Sequence, residues 1–102
     1  MIPIEKVKSI IDTYSKLEKD LASSHIDKKD FVAKSKEYSS IGEVINEARG
    51  YVGFENERKD LQKIIDEKDG DKEMIKLAEK ELFKLSKNNK KYEKKLKVFL
   101  LP

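Results

Sequence analysis

The stretch IIDEKDGDKEMIKLAEKELFKL, residues 64–85, decides the fold of this chain. At its centre, Asp69, Gly70 and Asp71 form a turn signal, because Gly can end a helix in the left-handed conformation and Asp can cap the next helix. Apolar residues then recur at helical spacing along the rest of the chain: Met74, Ala78, Leu82, Leu85, Tyr92, Leu96 and Phe99. This pattern predicts a helix over about residues 72–100 that folds back on a helix before the turn.

The region before this turn carries another apolar stripe, from about residue 28 to residue 68. Gly42, Gly50 and Gly53 lie inside it, and each costs a helix up to about 1 kcal/mol relative to Ala. A break near Gly50–Gly53 is therefore an alternative. We favour one continuous helix over residues 28–68, because no Pro and no cluster of turn residues interrupts the stripe.

The first part of the chain adds a heptad-like stripe over residues 3–22, starting at Pro3, which suits a first helical turn. Long helices joined by short turns pack antiparallel. We therefore predict an all-α fold, an elongated antiparallel three-helix bundle with coiled-coil-like packing, as a single domain over residues 1–102. Asn89 falls on the apolar seam of the last helix, where a polar residue can set the register.

The residue inventory argues against catalysis. The chain has no Cys, so it has neither a disulfide nor a thiolate site. Its one histidine, His25, lies in a predicted turn with no neighbour to orient it as a general base. Helix capping explains the acidic residues at the turns better than cation binding does: Asp27, Asp30, Asp69 and Asp71. We predict no catalytic residue, no metal and no cofactor.

Hydropathy gives no sign of a membrane protein. Charged residues make up 42% of the chain, and no apolar run approaches the roughly 20 residues that a spanning helix needs. The opening MIPIEKVK lacks the apolar core of a signal peptide. We expect a cytoplasmic protein that makes no membrane contact.

Lysine is concentrated in the last third of the chain, where residues 71–102 carry ten Lys and five acidic residues. Seven of these lysines fall within residues 84–97 and surround the one tyrosine of that segment. Such a surface can neutralise phosphates, and a tyrosine beside it can stack on a base. A plain solvated helix face explains the same pattern. The candidate contact residues are Lys84, Lys87, Lys90, Lys91, Tyr92, Lys94, Lys95 and Lys97.

The segment FVAKSKEYSSIGEVI carries Phe31, Ser35, Glu37 and Tyr38 in a Phe-x-x-x-Ser-x-Glu-Tyr pattern. This stretch resembles one in the N-terminal domain of the bacterial peptide chain release factor 1 family. The chain closes with LKVFLLP, residues 96–102, which is similar to the family's Leu-x-x-Leu-Leu-Leu-Pro, except that Phe99 replaces the commoner Leu.

The segment between them fits the same family, because an Asp-rich turn opens a helix with Met near its start. The matching residues are Asp71, Met74, Ala78, Glu81 and Leu82. The family's catalytic Gly-Gly-Gln and its codon-reading Pro-x-Thr are absent from this chain. The resemblance implies that both lie downstream, that the chain is part of a longer factor for UAA and UAG stop codons, and that this part is not itself an enzyme.

The resemblance also implies partners. In the family this domain reaches towards the stalk base of the large ribosomal subunit, where a ribosomal protein and ribosomal RNA meet. It packs against other domains of the factor and can be contacted by the methyltransferase that modifies the catalytic Gln. An alternative, based on the heptads alone, is a generic helical coiled-coil interaction module. The apolar end, residues 98–101, suggests a chain that enters another structure, unless these residues pack on the bundle itself.

Overall fold

The computed structural model describes residues 1–102 and contains four helices and no strand. The helices are α1 (Ile4–Ala22), α2 (Lys28–Gly42), α3 (Ile45–Asp66) and α4 (Lys72–Phe99). They form an elongated body of 61 × 29 × 19 Å. The predicted all-α class and elongated shape are confirmed, whereas the prediction of three helices is wrong.

The predicted continuous helix over residues 28–68 is two helices, and the break lies at neither Gly50 nor Gly53. It lies at Val44, whose φ of −123° and ψ of 4° leave the helical range. The amide of Val44 donates to the carbonyl of Ile41 at 2.9 Å, which tightens the last turn of α2. Ile41, Val44 and Ile45 are all buried. The break therefore redirects the chain while it keeps three bulky residues in the core.

The core draws its buried residues from all four helices. Its most inaccessible side chains come from three helices, Val7 of α1, Ala48 of α3 and Leu96 of α4, each with 0% exposure. The stripe of α3 that faces α1 is apolar at Ile45, Ala48 and Val52. Further along the helix, the equivalent positions are the exposed Glu55 and Lys59, so only α4 packs against that part of α3. The distal half is consequently a two-helix hairpin.

The turn between α3 and α4 forms where the sequence predicts it. The Asp71 carboxylate caps α4, because its Oδ1 accepts a hydrogen bond from the amide of Glu73 at 2.9 Å. Gly70 does not adopt the predicted left-handed conformation, since no residue in the chain has a positive φ. Helix α3 instead ends four residues earlier, at Asp66, with Glu67 extended.

Two polar details complete the packing. The Tyr51 hydroxyl donates to the carbonyl of Ile2 at 2.9 Å and accepts from its amide at 3.0 Å, which fixes the start of the chain against α3. Asn89 lies on the α3–α4 seam, and its side-chain oxygen is buried without a hydrogen-bond partner. No helix of the chain combines the length and the apolar character that crossing a bilayer requires.

Candidate nucleic-acid interface

The candidate contact residues all lie on α4, the longest helix, with 28 residues. Its seam with α3 is formed by residues such as Ala78, Leu85 and Leu96, which fixes which side of α4 faces outward. All seven candidate lysines are exposed. The helix therefore presents these lysines to solvent.

The outward face contains a longer row of lysines than the sequence analysis selected. Lys76 and Lys80 precede Lys84 at the same spacing of three or four residues, so they continue one ridge along the helix. We call this set the lysine ridge: Lys76, Lys80, Lys84, Lys87, Lys91 and Lys94. It extends about 27 Å at 1.5 Å per residue. The helical spacing is visible in the sequence and would have identified the two additional lysines.

The charges of the lysine ridge are not neutralised within the chain. Every ion pair in the structure involves other residues, so none of the six ammonium groups lies within 4.0 Å of a carboxylate. Lys90, beside the ridge, is likewise exposed and free of ion pairs. Closely spaced like charges repel one another, and an anionic partner would relieve that repulsion.

Two of the candidate lysines differ from the rest. Lys95 donates to Oε1 of Glu47 on α3 at 2.8 Å, and this hydrogen bond lowers the pKa of Glu47. Lys97 lies 3.0 Å from Oε1 of Glu93, one turn earlier in α4, and lowers the pKa of that carboxyl in the same way. The ammonium groups of Lys95 and Lys97 already have carboxylate partners. The lysines available to an external anion are therefore Lys90 and those of the lysine ridge.

Tyr92 is half-buried and packs against α3. A Cβ placed on Gly50 would lie 2.5 Å from Cε2 of the Tyr92 ring, so the ring lies directly over the glycine. The two helices approach closely here because Gly50 has no side chain. One face of the Tyr92 ring is thus covered, in contrast to the seven exposed lysines around it.

The sequence analysis missed Phe83, which is 67% exposed and is the most exposed aromatic residue of the chain. It follows Leu82 of the seam and lies at the solvent-facing edge of the α3–α4 interface. The Lys87 ammonium lies 5.6 Å from its ring centroid, a cation–π arrangement. Its position off the apolar stripe was the available signal.

The other sequence candidates do not assemble into a site. His25 is exposed, and its nearest polar interaction is its own amide donating to Oγ of Ser23 at 3.2 Å. No group of three or more His, Asp or Glu residues is arranged to hold a metal ion. Tyr14 and Tyr38 stack at a centroid distance of 4.4 Å beside the core. The arrangement best suited to a ligand is therefore the outward face of α4.

Comparison with known proteins gives a consistent set of similarities. The family model of the PCRF domain matches residues 10–102. Peptide chain release factor 1 of Pelagibacter ubique is 49% identical over 102 residues, which is all of this chain and 29% of that protein. Peptide chain release factor 1 of Ehrlichia ruminantium is 37% identical over 79 residues, 78% of this chain and 22% of that protein.

A relative of lower identity also covers nearly the whole chain. Peptide chain release factor 1 of Streptococcus equi is 31% identical over 100 residues, 96% of this chain and 28% of that protein. The chain thus spans less than a third of the length of these curated relatives. No solved structure matches it significantly.

Proposed function

This chain belongs to the PCRF domain family, and we propose that it is the N-terminal domain of a longer peptide chain release factor 1 that acts in translation termination. The observation that carries the proposal is the 49% identity along the whole chain to a protein of that name. The 102 residues then form a single domain, and the longer factor works in the cytoplasm.

The chemistry of termination belongs to parts of the factor outside this chain. We propose that the full-length factor acts at UAA and UAG codons and promotes hydrolysis of the peptidyl-tRNA ester. The present chain has neither Gly-Gly-Gln nor Pro-x-Thr, so its part is docking and not catalysis. Docking contributes because a second attachment point raises the effective concentration of the linked domains at their sites.

The proposed partner is the large ribosomal subunit at its stalk base, where ribosomal protein and ribosomal RNA meet. The outward face of α4 supports this, because its lysines are exposed and the six of the lysine ridge have no internal counter-charge. Neutralising phosphates releases counterions and gives an affinity that decreases with salt. Within the proposed contact set, Lys84, Lys87, Lys90, Lys91 and Lys94 carry most of the binding, and Tyr92, Lys95 and Lys97 lie at its margin.

The apolar end of the chain supports contacts with other domains of the factor. Val98, Leu100 and Leu101 are 68%, 39% and 69% exposed, so three large apolar side chains within four residues face water. Exposed apolar patches can mark interaction sites. We propose that neighbouring domains cover them. The methyltransferase that modifies the catalytic Gln is a further proposed partner.

The docking proposal is tested by binding to isolated large subunits between about 50 and 200 mM salt. A triple variant with Lys84, Lys87 and Lys91 changed to Gln should bind more weakly, and its salt dependence should be shallower by about three units of log–log slope. The matched control changes Lys28, Lys29 and Lys36 of α2 to Gln, which are also exposed and free of ion pairs. Equal loss in both variants would contradict a specific role for α4.

A second candidate function is a self-associating helical coiled-coil module. It is favoured by apolar side chains exposed on the distal hairpin, with Met74 at 52% and Leu77 at 55% exposure. Sedimentation equilibrium decides between the two, because a self-associating module should show a mass that rises with concentration. A constant monomer mass would remove this candidate.

A further inference from the structure

The packing of the helices does not explain the aromatic side chain at Phe83. Its neighbours Leu82 and Leu85 pack in the seam with α3, whereas Phe83 is 67% exposed. Residues three, four and seven positions away on a helix share its face. For Phe83 these include Lys76, Lys80, Lys87 and Lys90, all exposed and none in an ion pair. An apolar ring thus shares its helix face with four lysines that form no ion pair and with one carboxylate, Glu79.

A shallow cleft of about 520 Å³ opens beside this ring, between α3 and α4. Its lining consists of three apolar and three polar residues: Ile65, Leu82, Phe83, Gln62, Glu79 and Ser86. The Gln62 amide already donates to Asp66 at 2.9 Å, whereas the Glu79 carboxylate and the Ser86 hydroxyl make no side-chain hydrogen bond within the chain. An aromatic surface next to free polar groups is suited to a flat ligand with hydrogen-bonding edges.

We propose that Phe83 stacks on an unpaired nucleobase of an RNA strand whose phosphates are held by the surrounding lysines. The inference rests on the proposed docking function and deepens it by naming the ligand of the α4 face. Aromatic side chains beside basic residues bind single strands in this way, because every base has a flat face. Tyr92 is poorly suited to the same role, since its ring is packed over Gly50.

The charge arrangement favours a nucleotide over other occupants. Lys80 and Lys87 lie about 10 Å apart along the axis, on either side of Phe83, so they can contact phosphates flanking one base. The Glu79 carboxylate at the cleft can accept a hydrogen bond from an exocyclic amino group of a base. Double-stranded RNA offers phosphates to the lysines but no exposed base face.

The first experiment compares the affinities of two RNA probes, an oligoadenylate of about 12 nucleotides, a typical length for single-strand sites, and a blunt duplex of equal length. The change Phe83→Ala should weaken oligoadenylate binding by roughly five- to a hundredfold and leave duplex binding nearly unchanged. Phe31→Ala on α2 is the matched control, because Phe31 is also an exposed aromatic residue, at 45%. Circular dichroism confirms that each variant is folded.

A second readout reports stacking directly. The chain contains no Trp, so Phe83→Trp introduces the only indole, and stacking on adenine should quench its emission. Phe31→Trp should show no quenching. Unquenched emission from the Phe83→Trp chain saturated with oligoadenylate would overturn the inference, as would an oligoglutamate peptide whose binding depends equally on Phe83.

The outcomes separate the inference from the docking proposal. If the triple Gln variant loses large-subunit binding while Phe83→Ala changes neither RNA affinity, docking by the lysines stands and stacking is overturned. If Phe83→Ala weakens both RNA probes equally, stacking on an unpaired base is again overturned. If the unaltered chain binds oligoadenylate through Phe83 but does not bind large subunits, the inference stands and the docking proposal falls.

Discussion

Replacing Gly50 with alanine would push a methyl group into the ring of Tyr92. A Cβ at Gly50 lies 2.5 Å from Cε2 and 2.9 Å from Cδ2 of that ring, whereas carbon atoms in contact prefer about 3.5–4.0 Å. The ring must therefore move by about 1 Å, or the helices must separate. Overpacking of this kind costs about 1–3 kcal/mol. Alanine also favours the helix over glycine by up to about 1 kcal/mol, which partly offsets this cost.

The expected net effect of Gly50→Ala is a loss of about 1 kcal/mol, which lowers the melting temperature by roughly 4–8 °C in a chain of this size. Gly53, one turn further along α3, provides the control. Its Cβ would meet nothing closer than a Glu57 oxygen at 3.6 Å, so Gly53→Ala should stabilise the chain by up to about 1 kcal/mol.

Thermal and urea denaturation followed by circular dichroism measure both changes. In a Tyr92→Ala background the obstacle is absent, so Gly50→Ala should stabilise that chain as Gly53→Ala does. The reasoning is refuted if Gly50→Ala stabilises the otherwise unaltered chain, because the close approach of α3 and α4 would then not depend on the missing side chain.

Three further predictions concern stability and use the same denaturation measurements. Asn89→Leu should stabilise the chain by about 1 kcal/mol, because it removes a buried oxygen that has no hydrogen-bond partner; a loss would instead mean that Asn89 sets the helix register. Tyr51→Phe should cost about 1–2 kcal/mol, since both hydrogen bonds to Ile2 disappear, and an unchanged stability would show that they contribute nothing. Lys95 lowers the pKa of Glu47 in the folded chain, so this ion pair stabilises the fold above the pKa of Glu in the unfolded chain, about 4.3. This stabilisation is lost as the pH falls through the lower pKa that Glu47 has in the folded chain. Below about pH 5 the free energy of unfolding should therefore decrease less steeply in Glu47→Gln than in the unaltered chain, and parallel curves would contradict this.

Local signals account for the parts of the fold that the sequence predicts correctly. The first helix and α4 have apolar residues at helical spacing, and Asp71 caps α4 as its chemistry suggests. These features depend on residues close together in the chain. The overall class and the hairpin at residues 67–71 follow from them.

The break at Val44 could not be found in the same way. The alternative break was placed at Gly50–Gly53, but Gly50 allows the close approach of Tyr92, 42 positions away in sequence, and stays within α3, whereas α2 ends at Gly42. At Val44 the backbone is set by the burial of Ile41, Val44 and Ile45 against other helices. Such tertiary packing overrides local propensity.

The candidate site likewise combines features that the local sequence predicts with features that depend on tertiary packing. Exposure of the lysines follows from the helical pattern of α4, whereas their availability depends on distant partners. Lys95 is paired with Glu47, 48 positions earlier, and Tyr92 is covered by α3. The position of Phe83 off the stripe of Leu82 and Leu85 is visible in the sequence, whereas the cleft beside it depends on Gln62 and Ile65 of α3.

The central claim is that the lysine ridge lies against ribosomal RNA. The chain has no Cys, so Lys87→Cys gives a single attachment point for an iron chelate that cleaves nearby RNA. With large subunits, this probe should cut ribosomal RNA at the stalk base, and the same probe at Lys29→Cys on α2 should not. Cleavage from position 29 alone, or from neither position while the chain remains bound, would contradict the account.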